Sequence, residues 1–182
     1  MNRLTLLGGI LLLTSSSLSA ETLNLTAGTM TSGGDLSVRY RADAVGTYNA
    51  GGWTGGANFN FGYFVIDNLA LTFDVGGAGK LTTATDPTRM FSLGINLMYA
   101  IDTGTMVRPY GQIGGFGAWS NPTNGVIWLA GVKPAIGLLV GLNEYVALDF
   151  GVQAKISFPV SPSTGNTSLD GGVGYFGVRA FF

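Results

Sequence analysis

The fourteen residues Tyr145-Val146-Ala147-Leu148-Asp149-Phe150-Gly151-Val152-Gln153-Ala154-Lys155-Ile156-Ser157-Phe158 decide the fold. Val146, Leu148, Phe150, Val152, Ala154, Ile156 and Phe158 make one face, and that face is wholly apolar. Ala147, Asp149, Gly151, Gln153, Lys155 and Ser157 make the other, which is small or polar. Such period-two alternation belongs to a strand, because successive strand side chains point to opposite sides. A two-faced strand suits a soluble sheet or a membrane barrel, and composition separates the two.

Only 10% of the 182 residues are charged, against about 25% in an ordinary soluble domain. Past the N-terminus no run of about 18 to 20 apolar residues exists, so no helix there can cross a bilayer. Helices and closed barrels alone satisfy every backbone polar group in hydrocarbon, which leaves the barrel. The 30 glycines and 12% aromatic content agree with it. Formal charge is −1 without a basic run, so no electrostatic footprint for nucleic acid is present. With no cysteine there is no disulfide, thiolate metal site or lipid-anchored thiol. With no histidine, Ser–His–Asp and Cys–His catalysis and histidine-ligated metals are excluded. No catalytic, cofactor or metal residue is expected.

Met1 to Ala20 has the parts of a secretory signal: Arg3 in a positive n-region, Leu4 to Leu13 as the apolar stretch, and small or polar residues up to Ala20. The expected organisation is a signal peptide over 1–20 and a barrel over 21–182.

The alternation recurs. Leu69, Leu71, Phe73 and Val75 oppose Ala70, Thr72, Asp74, Gly76 and Lys80, and Phe91, Leu93, Ile95, Leu97, Tyr99 and Ile101 oppose Ser92, Gly94, Asn96 and Met98. Between Gly52 and Val65 the outer set is Trp53, Ala57, Phe59, Phe61, Tyr63 and Val65, against Thr54, Gly56, Asn58, Asn60 and Gly62. Met106–Trp119 puts Arg108, Tyr110, Gln112 and Gly114 on one face, opposite a glycine-diluted one. Val126–Val140 sets Trp128, Ala130, Val132, Ile136 and Leu138 against Gly131, Lys133 and Gly137; Pro134 predicts a bulge or weakened pairing there. In Gly174–Phe182 the outward residues are Phe176, Val178, Ala180 and Phe182. At the start, Leu23, Leu25 and Ala27 alternate with polar residues, but by Leu36, Val38 and Tyr40 the phase has flipped, which predicts a bulge or loop hairpin after Gly33-Gly34. The expected fold is an all-β, eight-stranded antiparallel up-and-down transmembrane barrel.

Tight turns at Ile66-Asp67-Asn68, Asp102-Thr103-Gly104 and Gly141–Glu144 alternate with longer polar links at Thr31–Gly51, Leu81–Thr88, Ser120–Gly125 and Pro159–Leu169. Membrane barrels show short periplasmic turns and longer external loops in this way. Measured from the tight turns, Trp53 lies 12 residues from Val65, Trp128 12 from Val140, and Trp119 13 from Met106. Twelve residues at about 3.3 Å, inclined by about 40°, rise roughly 30 Å, close to an apolar band plus an interfacial layer. Trp53, Trp119, Trp128 and Phe158 are therefore expected in an upper aromatic belt, and Tyr63, Tyr99 and Phe182 in a lower one.

The terminal Gly174-Tyr175-Phe176-Gly177-Val178-Arg179-Ala180-Phe181-Phe182 resembles the C-terminal strand of outer-membrane proteins. Gly62 to Leu71, with its turn at Asp67-Asn68, and Arg108-Pro109-Tyr110-Gly111 resemble strands of the small outer-membrane barrels of OmpA-barrel, OmpX and OmpW type. The resemblance covers the chain beyond residue 20. It implies a Gram-negative outer-membrane location, contact with outer-membrane lipid, and recognition of Phe176, Val178 and Phe182 by the barrel-assembly machinery. It implies no activity, since those families differ in function. Their lipid acyltransferase and deacylase relatives use histidine, which is lacking here, and the peptidoglycan anchoring of longer OmpA proteins is not carried over.

Gly172-x-Gly174-x-x-Gly177 matches a dinucleotide pattern in letters only, since it opens no helix. The two sequons, at Asn24 and Asn166, are accidental in a bacterial export context. The remaining polar set, Asp74, Arg108, Lys133, Asp149, Lys155 and Arg179, is luminal by parity. An eight-stranded interior is about filled by side chains, so these charges need partners. A single cluster of Arg108, Arg179, Asp149 and Asp74 is expected, with Lys133 and Lys155 higher. Two carboxylates against four cations would make any path anion-favouring. The expected function is a monomeric structural, envelope barrel with a filled lumen and no enzymatic activity. The alternatives are a narrow pore for small or apolar solutes, porin-like in kind, and a receptor or adhesin acting through the first external link with Arg39, Tyr40, Arg41 and Tyr48.

Overall fold

A computed structural model describes residues 22–41, 52–80, 89–121, 127–161 and 168–182, and the expected signal segment Met1–Ala20 lies outside them. The described strands are β1 (Met30–Arg41), β2 (Gly52–Ile66), β3 (Leu69–Lys80), β4 (Arg89–Ala100), β5 (Val107–Asn121), β6 (Ile127–Val132), β7 (Ala135–Asn143), β8 (Val146–Ser161) and β9 (Ser168–Phe181). All pairings are antiparallel, and β9 returns to β1, so the sheet closes into a ring. β6 and β7 share the same two neighbours, β5 and β8. They are halves of one stave, and nine segments make eight staves.

Pro134 separates those halves. Of the two expected outcomes, pairing is weakened and no bulge forms. Val132 faces Gly115 and Ala135 faces Gln112 on β5, so the register runs through unshifted. The Lys133 amide still donates to the Gly114 carbonyl at 2.8 Å, and the Ala154 amide to the Pro134 carbonyl at 2.9 Å. What is lost is the one bond that proline cannot donate.

Residues 22–41 differ from their sequence reading. β1 pairs with β2 in one unbroken register from Met30 opposite Tyr63 to Arg41 opposite Gly52, and Gly33 and Gly34 sit in the ladder without a bulge. Leu23 and Leu25 belong to no strand; they are buried in a strap that precedes β1. The strap turns at Ala27-Gly28, where Gly28 has φ 94°, a conformation open to glycine. The apparent phase flip is a change of surroundings. In the strap the apolar side chains face the barrel interior, whereas Leu36 and Val38 on β1 face outward and are exposed. The first long link accordingly shrinks from 31–51 to 42–51.

At the opposite end from the long links lie three short turns. Asn68 takes φ 64° and Gly104 φ 66°. The Asp102 carboxylate accepts the Gly104 amide, and the Asn143 side-chain oxygen accepts the Tyr145 amide, both at 2.8 Å. β7 runs to Asn143, so the third turn falls on Glu144-Tyr145, slightly later than its sequence expectation.

Outward positions carry exposed Phe59, Phe61, Phe73, Val75, Leu93, Ile95, Leu97, Phe150, Val152 and Val178. This surface inverts that of a soluble barrel and needs an apolar solvent. Many inward glycines are seats for neighbouring side chains. A Cβ on Gly137 would stand 2.6 Å from both the Tyr110 ring and the Phe150 carbonyl oxygen, and one on Gly94 2.9 Å from the Asp74 carboxylate. Gly137→Ala is therefore expected to destabilise the barrel by about 1–3 kcal/mol through overpacking against backbone. Unfolding by urea in lipid vesicles measures this, and an unchanged midpoint contradicts it.

Candidate functional site

At the short-turn end every stave except the first contributes an inward apolar or small residue. Phe64, Ala70, Met98, Ala100, Tyr110, Leu139, Ala147 and Phe181 pack into one buried cluster with Leu23 and Leu25 of the strap. Phe64 and Phe181 are 0% and 1% exposed, with ring centroids 6.2 Å apart. The strap is tied across this floor. The Asn24 amide donates to the Glu144 carbonyl at 3.0 Å on one side, and the Asn68 amide to the Leu25 carbonyl at 2.7 Å on the other. The Ala27 amide donates to the Asp67 carboxylate at 2.8 Å. Met30 and Phe182 then exchange backbone bonds of 2.7 and 2.9 Å, closing the seam between β1 and β9.

Above the floor the lumen is polar, and four of its charges form two ion pairs. Asp149 accepts the Arg179 guanidinium at 2.7 and 3.2 Å and the Tyr110 hydroxyl at 2.6 Å. Tyr110 also bonds the Tyr175 hydroxyl, and Arg179 reaches the Met98 sulfur at 3.5 Å. On the other side Asp74 forms an ion pair with Lys133 and accepts Asn96 Nδ2 at 2.6 Å. Gly94 leaves the space that this pair occupies. Asp35 accepts Asn58 Nδ2 at 2.8 Å, and Lys155 stands 5.9 Å from the Phe116 ring centroid. Between these groups remains a cavity of about 40 Å³, lined among others by Asp35, Asn60, Gln112, Gln153 and Lys155. At about 10–15 Å³ per water centre it has room for roughly three waters, not for an organic solute.

The six luminal charges thus fall into separate groups. Asp149–Arg179 and Asp74–Lys133 are distinct pairs. Arg108 is buried but pairs with Asp102 of a short turn, away from Asp149, so the single four-membered cluster does not form. Asp35 joins the lumen instead, because β1 takes the residues that sequence reading gave to a loop. Among the described residues three carboxylates, Asp35, Asp74 and Asp149, then face three cations, Lys133, Lys155 and Arg179, and the expected excess of four cations over two carboxylates is not found among them. Parity places Tyr110 and Tyr175 inward without revealing that Tyr110 donates to Asp149 and that Tyr175 bonds Tyr110 in turn.

Trp119, Trp128 and Phe158 lie towards the long links, and Tyr63, Tyr99 and Phe182 towards the short turns. Trp119 faces Trp128 across the ladder, Phe158 faces Ala130, and the Trp53 backbone faces Tyr40 near the long links. Tyr63, Tyr99 and Phe182 are exposed near the short turns. Phe176 and Val178 point outward on β9. Among the described residues no group of histidine, cysteine, aspartate and glutamate could hold a metal ion.

No protein-family description and no curated protein matches the chain. Solved structures do. Neisserial surface protein A superposes with a TM-score of 0.61 at 17% identity, over 86% of this chain and 98% of that one. The fold is that of the small eight-stranded outer-membrane barrels. OprG of Pseudomonas aeruginosa matches with a TM-score of 0.54 at 14% identity, covering 86% and 97%. Ail, the attachment invasion locus protein of Yersinia pestis, matches with 0.53 at 13%, covering 86% and 100%.

Breaking a buried ion pair from one side leaves a charge stranded, at a cost of about 3–5 kcal/mol. Asp149→Asn should therefore lower the temperature at which the folded band disappears on a heat-modifiability gel. Replacing both partners, Asp149→Leu with Arg179→Met, should cost less than Asp149→Asn alone. Unchanged heat-modifiability of Asp149→Asn would sink the account of this pair.

Proposed function

We propose that this chain is a monomeric structural barrel of a Gram-negative outer membrane, contributing to envelope integrity with a lumen that conducts no solute. The observation that carries this reading is the sealed floor: ten buried residues pack across the short-turn end, and two of them come from the strap. The ion pairs above it are mutually neutralised and leave about 40 Å³. Such an interior stiffens the wall, and the cavity left among the described residues is too small for a substrate. The apolar outer face and the likeness to outer-membrane barrels support the location.

A narrow pore draws less support, because its path would have to cross Phe64, Phe181 and Leu139, each almost fully buried. A receptor or adhesin role, which the name of Ail brings to mind for that protein, has less surface than the sequence suggested, since β1 takes up residues 30–41. Planar-bilayer recordings of the purified barrel are expected to show no discrete openings. Phe64→Ala combined with Phe181→Ala should introduce intermittent current by hollowing the floor. Cells lacking the chain should become more sensitive to detergent while small-solute uptake stays unchanged. Discrete conductance from the unaltered protein would overturn the reading.

A further inference from the structure

We propose that the external ends of β4, β5 and β6 form a docking groove for one acyl chain of an anionic, phosphate-bearing lipid, with Arg89 at its head. Phe91, Trp119 and Trp128 are successive register partners on these three strands. Their rings form one rung, with centroids 4.9 and 6.4 Å apart. It lies at the long-link end, where amphipathic rings settle at headgroup depth. Arg89 shares the outward face of Phe91, two residues nearer the strand end, and is exposed. That spacing is about 6.7 Å along a strand.

Arg89 is the one charged side chain among the described outward positions of the strands. Elsewhere the outward face carries residues such as Phe73, Val75, Phe150 and Val152. A guanidinium there is matched by an anionic phosphate, which it can hold with two parallel hydrogen bonds. Below the ring rung the outward face of β5 drops away. Gly117 and Gly115 stand opposite Leu93 and Ile95 on β4, and opposite Ala130 and Val132 on β6. A Cβ on Gly117 would meet nothing within 4 Å, and one on Gly115 only the Gly131 carbonyl at 3.8 Å. Leu93, Ile95 and Val132 rise as exposed walls, and Ile113 closes the lower end. The walls are two strand spacings apart, about 9.5 Å, which suits one methylene chain. An unfilled slot would forfeit dispersion contacts along its lining, so an ordered chain gains there over a disordered one.

The test uses the barrel in phosphatidylcholine vesicles with Trp53→Phe, so that Trp119 and Trp128 report. Lipids brominated on the acyl chain are titrated in, and gel mobility confirms folding. Brominated phosphatidylglycerol should quench with about fivefold enrichment over brominated phosphatidylcholine, the factor one surface cation supplies. Arg89→Gln should abolish the difference between headgroups. Gly115→Leu with Gly117→Leu should reduce quenching by both lipids; should that pair fail to fold, Gly117→Ala adds one methyl to the groove floor and should give a smaller reduction. Equal quenching by the two headgroups in the parent, a preference that survives Arg89→Gln, or quenching unaffected by the groove substitutions overturns the proposal.

Discussion

In hydrocarbon a backbone amide or carbonyl without a partner costs several kcal/mol, and no water is present to supply one. Ring closure follows from that constraint, and the rest of the molecule follows from ring closure. Met30 and Phe182 exchange backbone bonds where the sheet's two ends meet, so no edge is left open there. Pro134 is tolerated because the register on both sides passes it unshifted and a single donor is missing. The apolar outward face and polar inward face are then the only arrangement that suits lipid outside and a narrow interior inside.

That interior imposes its own accounting. Eight staves leave too little width for open water, so side chains must fill it and every charge must find a partner. Glycine makes the geometry possible: Gly94 clears room for Asp74 and Lys133, and Gly137 for the Tyr110 ring. The lower layer is apolar and the upper layer polar, and the boundary between them runs through Tyr110. Its ring belongs to the floor cluster and its hydroxyl to Asp149. The same packing therefore stabilises the wall and fills the lumen.

Strand positions and faces were legible from residues alone wherever one face met lipid, as in β3, β4 and β8, because parity is a local property. The strap was not, since Leu23 and Leu25 are apolar for a different reason from Leu36 and Val38. Alternation records that a residue is apolar without recording whether lipid or the barrel floor surrounds it. The ion pairs were legible as a need and not as a pairing. Asp74 on β3 and Lys133 between β6 and β7 meet across the lumen, so strand parity could not match them. Parity turns Arg108 inward, but its ion-pair partner is Asp102 in the adjoining turn, a residue that strand parity does not place. Asp35 is not legible as luminal, because the break in alternation after Gly33-Gly34 leaves it in a long link, whereas β1 runs through it.

The most direct measurement returns to Tyr145–Phe158. The chain has no cysteine, so single cysteines at 148, 150 and 152 on the outward face and at the half-buried inward positions 153 and 155 can each carry one nitroxide in lipid vesicles. Relaxation by oxygen, which concentrates in hydrocarbon, should be high at positions 148, 150 and 152 and low at 153 and 155. Relaxation by a water-soluble nickel chelate should be low at 148, 150 and 152, which face lipid. Oxygen access that peaks at the odd positions, or that follows a period of about 3.6 residues, would contradict the barrel.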